Sequence, residues 1–275
     1  MKIITKILAT TLISALPIAS VMAGEALDRV MDKNLLKVAT DANWAPQSFL
    51  NDKNEMDGFD VNVAQEVAKR LGVEIEFVTP AWDIITAGRW NARWDLSIGS
   101  MTPTTERAKV LTFPAVYYYT PASFVVHKDS DAADVSDLNG KKVGVTTASV
   151  HERYLQKDLI IDAEGVPAFD YLVDTDFIKS YESSNVVLDD LRLGNGSRLD
   201  GALTSVPTIN EAMKNNYPIK PLGKPVFFEP LALAIDKGDQ EFNDKLAAIV
   251  AEMRADGTLS KLSQKWYNYD YTSTH

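Results

Sequence analysis

The amino-acid sequence predicts an α/β fold of two lobes joined by two hinge strands. Strand and helix periodicities alternate through a first block of the chain and restart in a second, the pattern of parallel α/β winding. Two apolar, β-prone segments, 117–126 and 226–235, are interrupted by Pro121 and Pro230 and stand where the chain would leave the first lobe and return to it. Two such crossings describe a hinge with a cleft between its halves.

In the first block, Leu35-Leu36-Lys37-Val38-Ala39 alternates as a short strand. Gly58-Phe59-Asp60 then opens a helix in which Val61, Ala64, Val67, Ala68 and Leu71 share one face, with Gly72 placed to cap it. Residues 73–78 alternate as the next strand, 83–92 read as a helix, and Asp95-Leu96-Ser97-Ile98-Gly99 as another strand. The second block begins at Lys141-Lys142-Val143-Gly144-Val145. It continues with a helix over 149–156, strands over 177–181 and 199–204, and helices over 185–193 and 210–214. The chain then finishes the first lobe with a helix over 241–255 and a tail containing Trp266. The lobes so defined are 24–121 with 229–275, and 122–228. Residues 157–176 have no clean period and read as a long loop, either a lid or a surface excursion.

With 275 residues, 45% of them hydrophobic and 24% charged, the composition is that of an ordinary globular chain, which excludes fibrous and largely disordered readings. Lys and Arg number 28 against 38 Asp and Glu, and the formal charge of -10 repels phosphate backbones, so nucleic acid is not an expected partner. The absence of Cys excludes disulfides, thiolate metal sites and cysteine nucleophiles. His127, His151 and His275 lack paired metal-ligand spacing, and His151, near a helix start, is expected to face solvent. There is no Gly-x-Ser-x-Gly and no phosphate loop. Binding is therefore expected over catalysis, with no cofactor and no metal.

Lys2 and Lys6 precede an apolar run over 7–19, and Val21-Met22-Ala23 ends the segment in a small-x-small pattern. These are the features of a cleaved secretory signal peptide over 1–23. The run is shorter than the roughly 20 residues of a membrane-spanning helix. No Cys is present to carry a lipid at the cleavage point. The expectation is a soluble monomer in a bacterial periplasm.

Several strings, in order and spacing, carry a resemblance: Ala39-Thr40-Asp41-Ala42-Asn43-Trp44-Ala45-Pro46, Gly58-Phe59-Asp60-Val61, Trp82-Asp83, and Gly99-Ser100-Met101-Thr102-Pro103-Thr104-Thr105-Glu106-Arg107. Ala234-Ile235-Asp236-Lys237-Gly238-Asp239 and residues 257–266 extend it to the C-terminal part. Together they resemble the periplasmic solute-binding proteins of ABC importers, polar amino acid branch. The resemblance implies the type II periplasmic binding protein fold, a small-molecule ligand captured by domain closure, and delivery to a membrane ABC permease.

An Arg offers a rigid fork of donors matched to a carboxylate. From the residues alone, Arg107 reads as readily as a surface partner of Glu106. The resemblance makes it the clamp of a ligand carboxylate, with the Thr102 hydroxyl and backbone near Ser100 in support. It also makes Trp44 and Trp82 aromatic walls, whereas Trp90, Trp94 and Trp266 read as core. Asp41, ending the first strand, can accept from a ligand cation or cap a turn.

The second lobe departs from the family's pattern. Where amino acid binders usually carry a Thr hydroxyl, the run here is Ala148-Ser149-Val150, leaving Ser149 and backbone N–H groups. Where they usually carry an Asp for the α-ammonium, this chain has Ser205. The expected ligand is therefore a carboxylate without a free primary α-amine, or an N-substituted amino acid derivative, touching Ser149 and Ser205. Glu229, on the second crossing, offers an acidic partner from a new direction. Two other functions stay open on the sequence: an accessory protein of a periplasmic enzyme or sensor, and an enzyme resembling cyclohexadienyl dehydratases with Glu229 or Asp41 as the acid.

Overall fold

The computed structural model describes residues 25–273, and the expected signal peptide, 1–23, lies outside the described residues. Helix α1 (Glu25–Lys33) leads into β1 (Leu35–Ala39) and a small three-stranded sheet of β2 (Asn43–Trp44), β3 (Ser48–Leu50) and β4 (Met56–Asp57). Then come α2 (Phe59–Leu71), β5 (Glu74–Val78), α3 (Trp82–Thr86), β6 (Leu96–Met101) and β7 (Leu111–Thr112). The long strand β8 (Val116–His127) crosses to the second lobe, built from β9 (Val143–Thr146), α4 (Val150–Leu155), β10 (Ile178–Tyr181), α5 (Ser184–Leu191), β11 (Gly201–Ser205) and α6 (Val206–Lys214). The 18-residue β12 (Ile219–Asp236) returns, and α7 (Gln240–Ala255) and α8 (Thr258–Tyr267) complete the first lobe.

In the first lobe β1 pairs in parallel with β5 and β6, and in the second β9 pairs in parallel with β10 and β11. The crossing strands β8 and β12 run antiparallel to each other, with Glu229 opposite Thr120. β8 also pairs with β11, and β12 with β6, so both lobes hang on one central antiparallel pair of strands. The apolar cores divide at that crossing. One gathers residues from Val30 to Tyr118 and from Leu231 to Leu259, and another gathers residues from Ala122 to Phe227.

The face read from the sequence of α2 is buried: Val61, Ala64, Val67, Ala68 and Leu71 are all inside, each large aliphatic contributing about 1.5–3 kcal/mol by burial. Gly72 caps the helix in the left-handed conformation. Gly58, at its start, has φ 128° and leaves no room for a side chain, since a Cβ there would lie 2.3 Å from the Gln47 carbonyl oxygen.

The structure corrects several boundaries. The helix expected over 83–92 ends at Thr86. Beyond it Gly88, Arg89, Asn91 and Ala92 all take positive φ, and the turn buries Trp90, whose N–H donates to Asp236 Oδ2 at 2.6 Å and whose Nε1 donates to the Ile85 carbonyl at 2.8 Å. Helix α6 begins at Val206, four residues before the expected start, with Pro207 tolerated in its first turn. The segment read as a C-terminal tail contains helix α8. Residues 157–176 carry no helix, but they reach the first lobe: Ile161 bridges Thr104, the Asp162 N–H donates to the Pro103 carbonyl at 3.0 Å, and the Thr105 N–H donates to the Ile160 carbonyl at 3.3 Å.

Candidate functional site

Between the lobes lies a small cleft cavity. The first lobe lines it with Asp41, Trp44, Trp82, Ser100, Thr102 and Arg107, and the hinge strand β12 adds Glu229. The second lobe contributes the hydroxyls of Thr146, Ser149, Ser183 and Ser184, with Val150 and His151. Eight of the nine side chains expected at the site thus line one cavity; Ser205 does not.

Arg107 starts a single 3-10 turn just beyond β6. Its guanidinium donates from Nη1 to the Thr102 carbonyl at 2.8 Å and from Nη2 across the cleft to the Ala148 carbonyl at 2.9 Å. Those are two of its five donors. No carboxylate pairs with it among the described residues; Glu106, its alternative partner, approaches Arg153 instead at 3.7 Å. Burial pulls the Arg107 pKa down to about 10 against the opposing pull of Glu229, so the group remains charged at neutral pH. Its guanidinium carbon lies 5.6 Å from the Trp82 ring. Gly99 on β6 lets that ring lie close, since a Cβ there would come within 3.3 Å of it.

Thr102 is buried and serves two charges. Its carbonyl accepts from Arg107, and its hydroxyl donates to Glu229 Oε2 at 3.3 Å. The other oxygen of Glu229 lies 3.1 Å from His151 Nε2. His151 is 4% exposed, which overturns the solvent-facing reading: α4 turns its first turn toward the cleft, and the imidazole packs 5.9 Å from Phe227.

Asp41 accepts from the Asn43 N–H at 2.7 Å, so it caps the turn and lines the cavity as well. Burial raises its carboxyl pKa, with the Glu182 charge adding to the effect. Ser149 caps α4 by accepting from the Glu152 N–H at 3.2 Å. The Ser100 hydroxyl is drawn away from the cavity, donating to Asp60 Oδ2 at 2.7 Å and contacting the Tyr118 hydroxyl. Asp60 is fully buried, receives the Tyr117 hydroxyl at 2.7 Å as well, and is pushed by desolvation to a pKa of about 7.

Ser205 is sealed in a seam between the lobes. Its hydroxyl lies 2.9 Å from Thr208 Oγ1 and accepts from Gln47 Nε2 at 3.4 Å, while Trp44 Nε1 donates to Thr208 at 3.0 Å. Ser183 and Ser184, which the sequence reading missed, start α5. Their signal was a Ser-Ser pair ahead of a helical pattern, a cap signature that does not by itself say which cleft it faces.

The fold and this cleft define a class: type II periplasmic amino acid-binding architecture, shared with solved structures. The chain belongs to the bacterial extracellular solute-binding proteins, family 3, whose sequence profile matches residues 36–269. It is 28% identical to the L-cystine-binding protein TcyJ of Escherichia coli (strain K12) over 97% of this chain and 95% of that one. It is 27% identical to the ABC transporter arginine-binding protein 1 of the same organism, over 82% of this chain and 88% of the other. Among structures, a mutant of ArgBP from T. maritima superposes with a TM-score of 0.76 at 25% identity, covering 89% of this chain and all of that one. An ancestral amino acid-binding protein, a precursor of cyclohexadienyl dehydratase, gives 0.75 at 28% identity, covering 88% of this chain and 99% of that one.

Proposed function

We propose that this chain, exported with loss of residues 1–23, captures an amino acid or amino acid derivative in the periplasm and presents it to a membrane ABC permease. Lobe one (24–121 and 229–275) and lobe two (122–228) close on the ligand as a monomer, and the chain binds rather than transforms it. The observation that carries this reading is Arg107: a buried guanidinium facing a cavity, hydrogen-bonded to backbone on both lobes and ion-paired to no side chain among the described residues. A buried charge is stable only with a counter-charge or a full set of hydrogen bonds. A ligand carboxylate docking on lobe one supplies both, and lobe two then closes over it with contacts that exist only in the closed form, so binding shifts the population toward that state. Trp44 and Trp82 offer the ligand side chain apolar faces, and Ser149, Ser183 and Ser184 offer hydroxyls.

Calorimetric titration of the ligand-stripped mature protein tests this. Arg107→Ala is expected to weaken an amino acid ligand by at least about 3 kcal/mol, more than 100-fold, while leaving the unfolding transition cooperative. Unchanged affinity would refute the clamp.

A further inference from the structure

Glu229 is the other charged group buried in this cavity, and its surroundings are specific. It is 4% exposed, held from both sides by His151 and Thr102 at 3.1 and 3.3 Å. A carboxylate accepts about four hydrogen bonds, so roughly two positions remain for a ligand. Arg107 is seated on the carbonyl of the same Thr102 whose hydroxyl is seated on Glu229. A single residue therefore links the buried cation to the buried anion, and both charges line the same cavity, where one ligand can meet them together. The acid comes from the hinge strand β12, while Ser205 is occupied in the seam with Gln47 and Thr208.

Resting on the carboxylate reading of Arg107, we infer that Glu229 receives the ligand's protonated amine, with His151 and Thr102 as the positioning residues that aim it. The ligand class is then α-amino acids with a free amine, in place of the amine-free or N-substituted carboxylates that Ser205 suggested. His151 Nε2, 3.1 Å from one carboxylate oxygen, and the Thr102 hydroxyl, 3.3 Å from the other, fix the orientation of Glu229 and leave its remaining lone pairs for the ligand.

The experiment titrates the full mature protein, stripped by unfolding and refolding, with the standard L-amino acids. For each that binds, it adds the analogue lacking the α-amine and the N-acetyl derivative. In the wild type, removing the amine is expected to lower affinity by roughly 100-fold. In Glu229→Gln, the same removal is expected to lower it by less than about 5-fold, because the partner is already gone. His151→Asn is expected to lower affinity for the amino acid more than for its amine-free analogue, a selective readout that a purely structural role would not move. Equal wild-type affinity for the amino acid and its amine-free analogue overturns the proposal, and so does full affinity in Glu229→Gln. If Arg107→Ala still loses both ligands in those cases, the carboxylate reading stands alone. Failure of every amino acid to bind overturns both.

Discussion

Two residues at the site sit in backbone conformations that side chains disfavour. Ser100 and Ala148 have φ of 52° and 56°, one beside Asp60 and the other accepting from Arg107. Left-handed backbone at a non-glycine costs about 1–3 kcal/mol and persists where surroundings impose it. The Ser100 N–H donates to the Tyr117 hydroxyl at 3.0 Å, so the Asp60 cluster is what holds this floor of the cavity. Folded Asp60 binds its proton more tightly, near pH 7, than its ordinary value of 3.8 allows. Folding therefore takes up a proton at Asp60 between those values, and the Asp60 contribution to stability falls as pH rises from about 4 to about 7, by on the order of 4 kcal/mol. Asp60→Asn is expected to flatten that fall in denaturant titrations run across this range; parallel curves for variant and wild type would contradict it. The sequence showed Asp60 in its helix but gave no sign of this burial, because its partners Ser100 and Tyr117 are distant in the chain. His151 was misread for the same reason. Arg107, Trp44, Trp82 and Asp41 were legible because their strings carried the family resemblance. Whether Ser205 faced the ligand depended on Gln47 reaching across from the other lobe, and no local pattern encodes that.

At the scale of elements, the segment over 157–176 is a strap from the second lobe to the loop that carries Thr102 and Arg107. It is anchored on its own lobe by Phe169 and Tyr171, which pack on Tyr154, and it meets the first lobe through main-chain hydrogen bonds at Pro103 and Thr105. These contacts exist only with the lobes together, so they add to the stability of the closed form. Asp162→Pro removes the N–H that bonds the Pro103 carbonyl. It is expected to speed ligand release several-fold in stopped-flow measurements with little change in association, since closure follows encounter. An unchanged release rate would show that the strap is a surface excursion only. The hinge strands were legible because apolar, β-prone runs broken by a proline are unusual, and their pairing followed from there. The end of α3 was not legible. The apolar pattern continues through Trp90, but a turn that buries the ring, with its indole N–H on the Ile85 carbonyl and its main-chain N–H on Asp236, outweighs continuing the helix.

On the scale of the whole molecule, the central pair β8 and β12 makes the two lobes one sheet while leaving each its own apolar core. Little apolar core crosses between the lobes, and the contacts across the cleft are mostly polar: Arg107 to Ala148, Trp44 to Thr208, Gln47 to Ser205. Polar interfaces of this kind open and close at modest cost, whereas the cores on either side do not rearrange. On the proposed reading a ligand at Arg107 would complete the interface, and affinity and closure would be one equilibrium. The most direct test is a crystal structure of the mature protein with a bound amino acid. The ligand carboxylate is expected about 3 Å from the Arg107 guanidinium, between Trp44 and Trp82, with the Ala148 contact made. An amino acid bound with its carboxylate on another group, and Arg107 left unliganded, would contradict it.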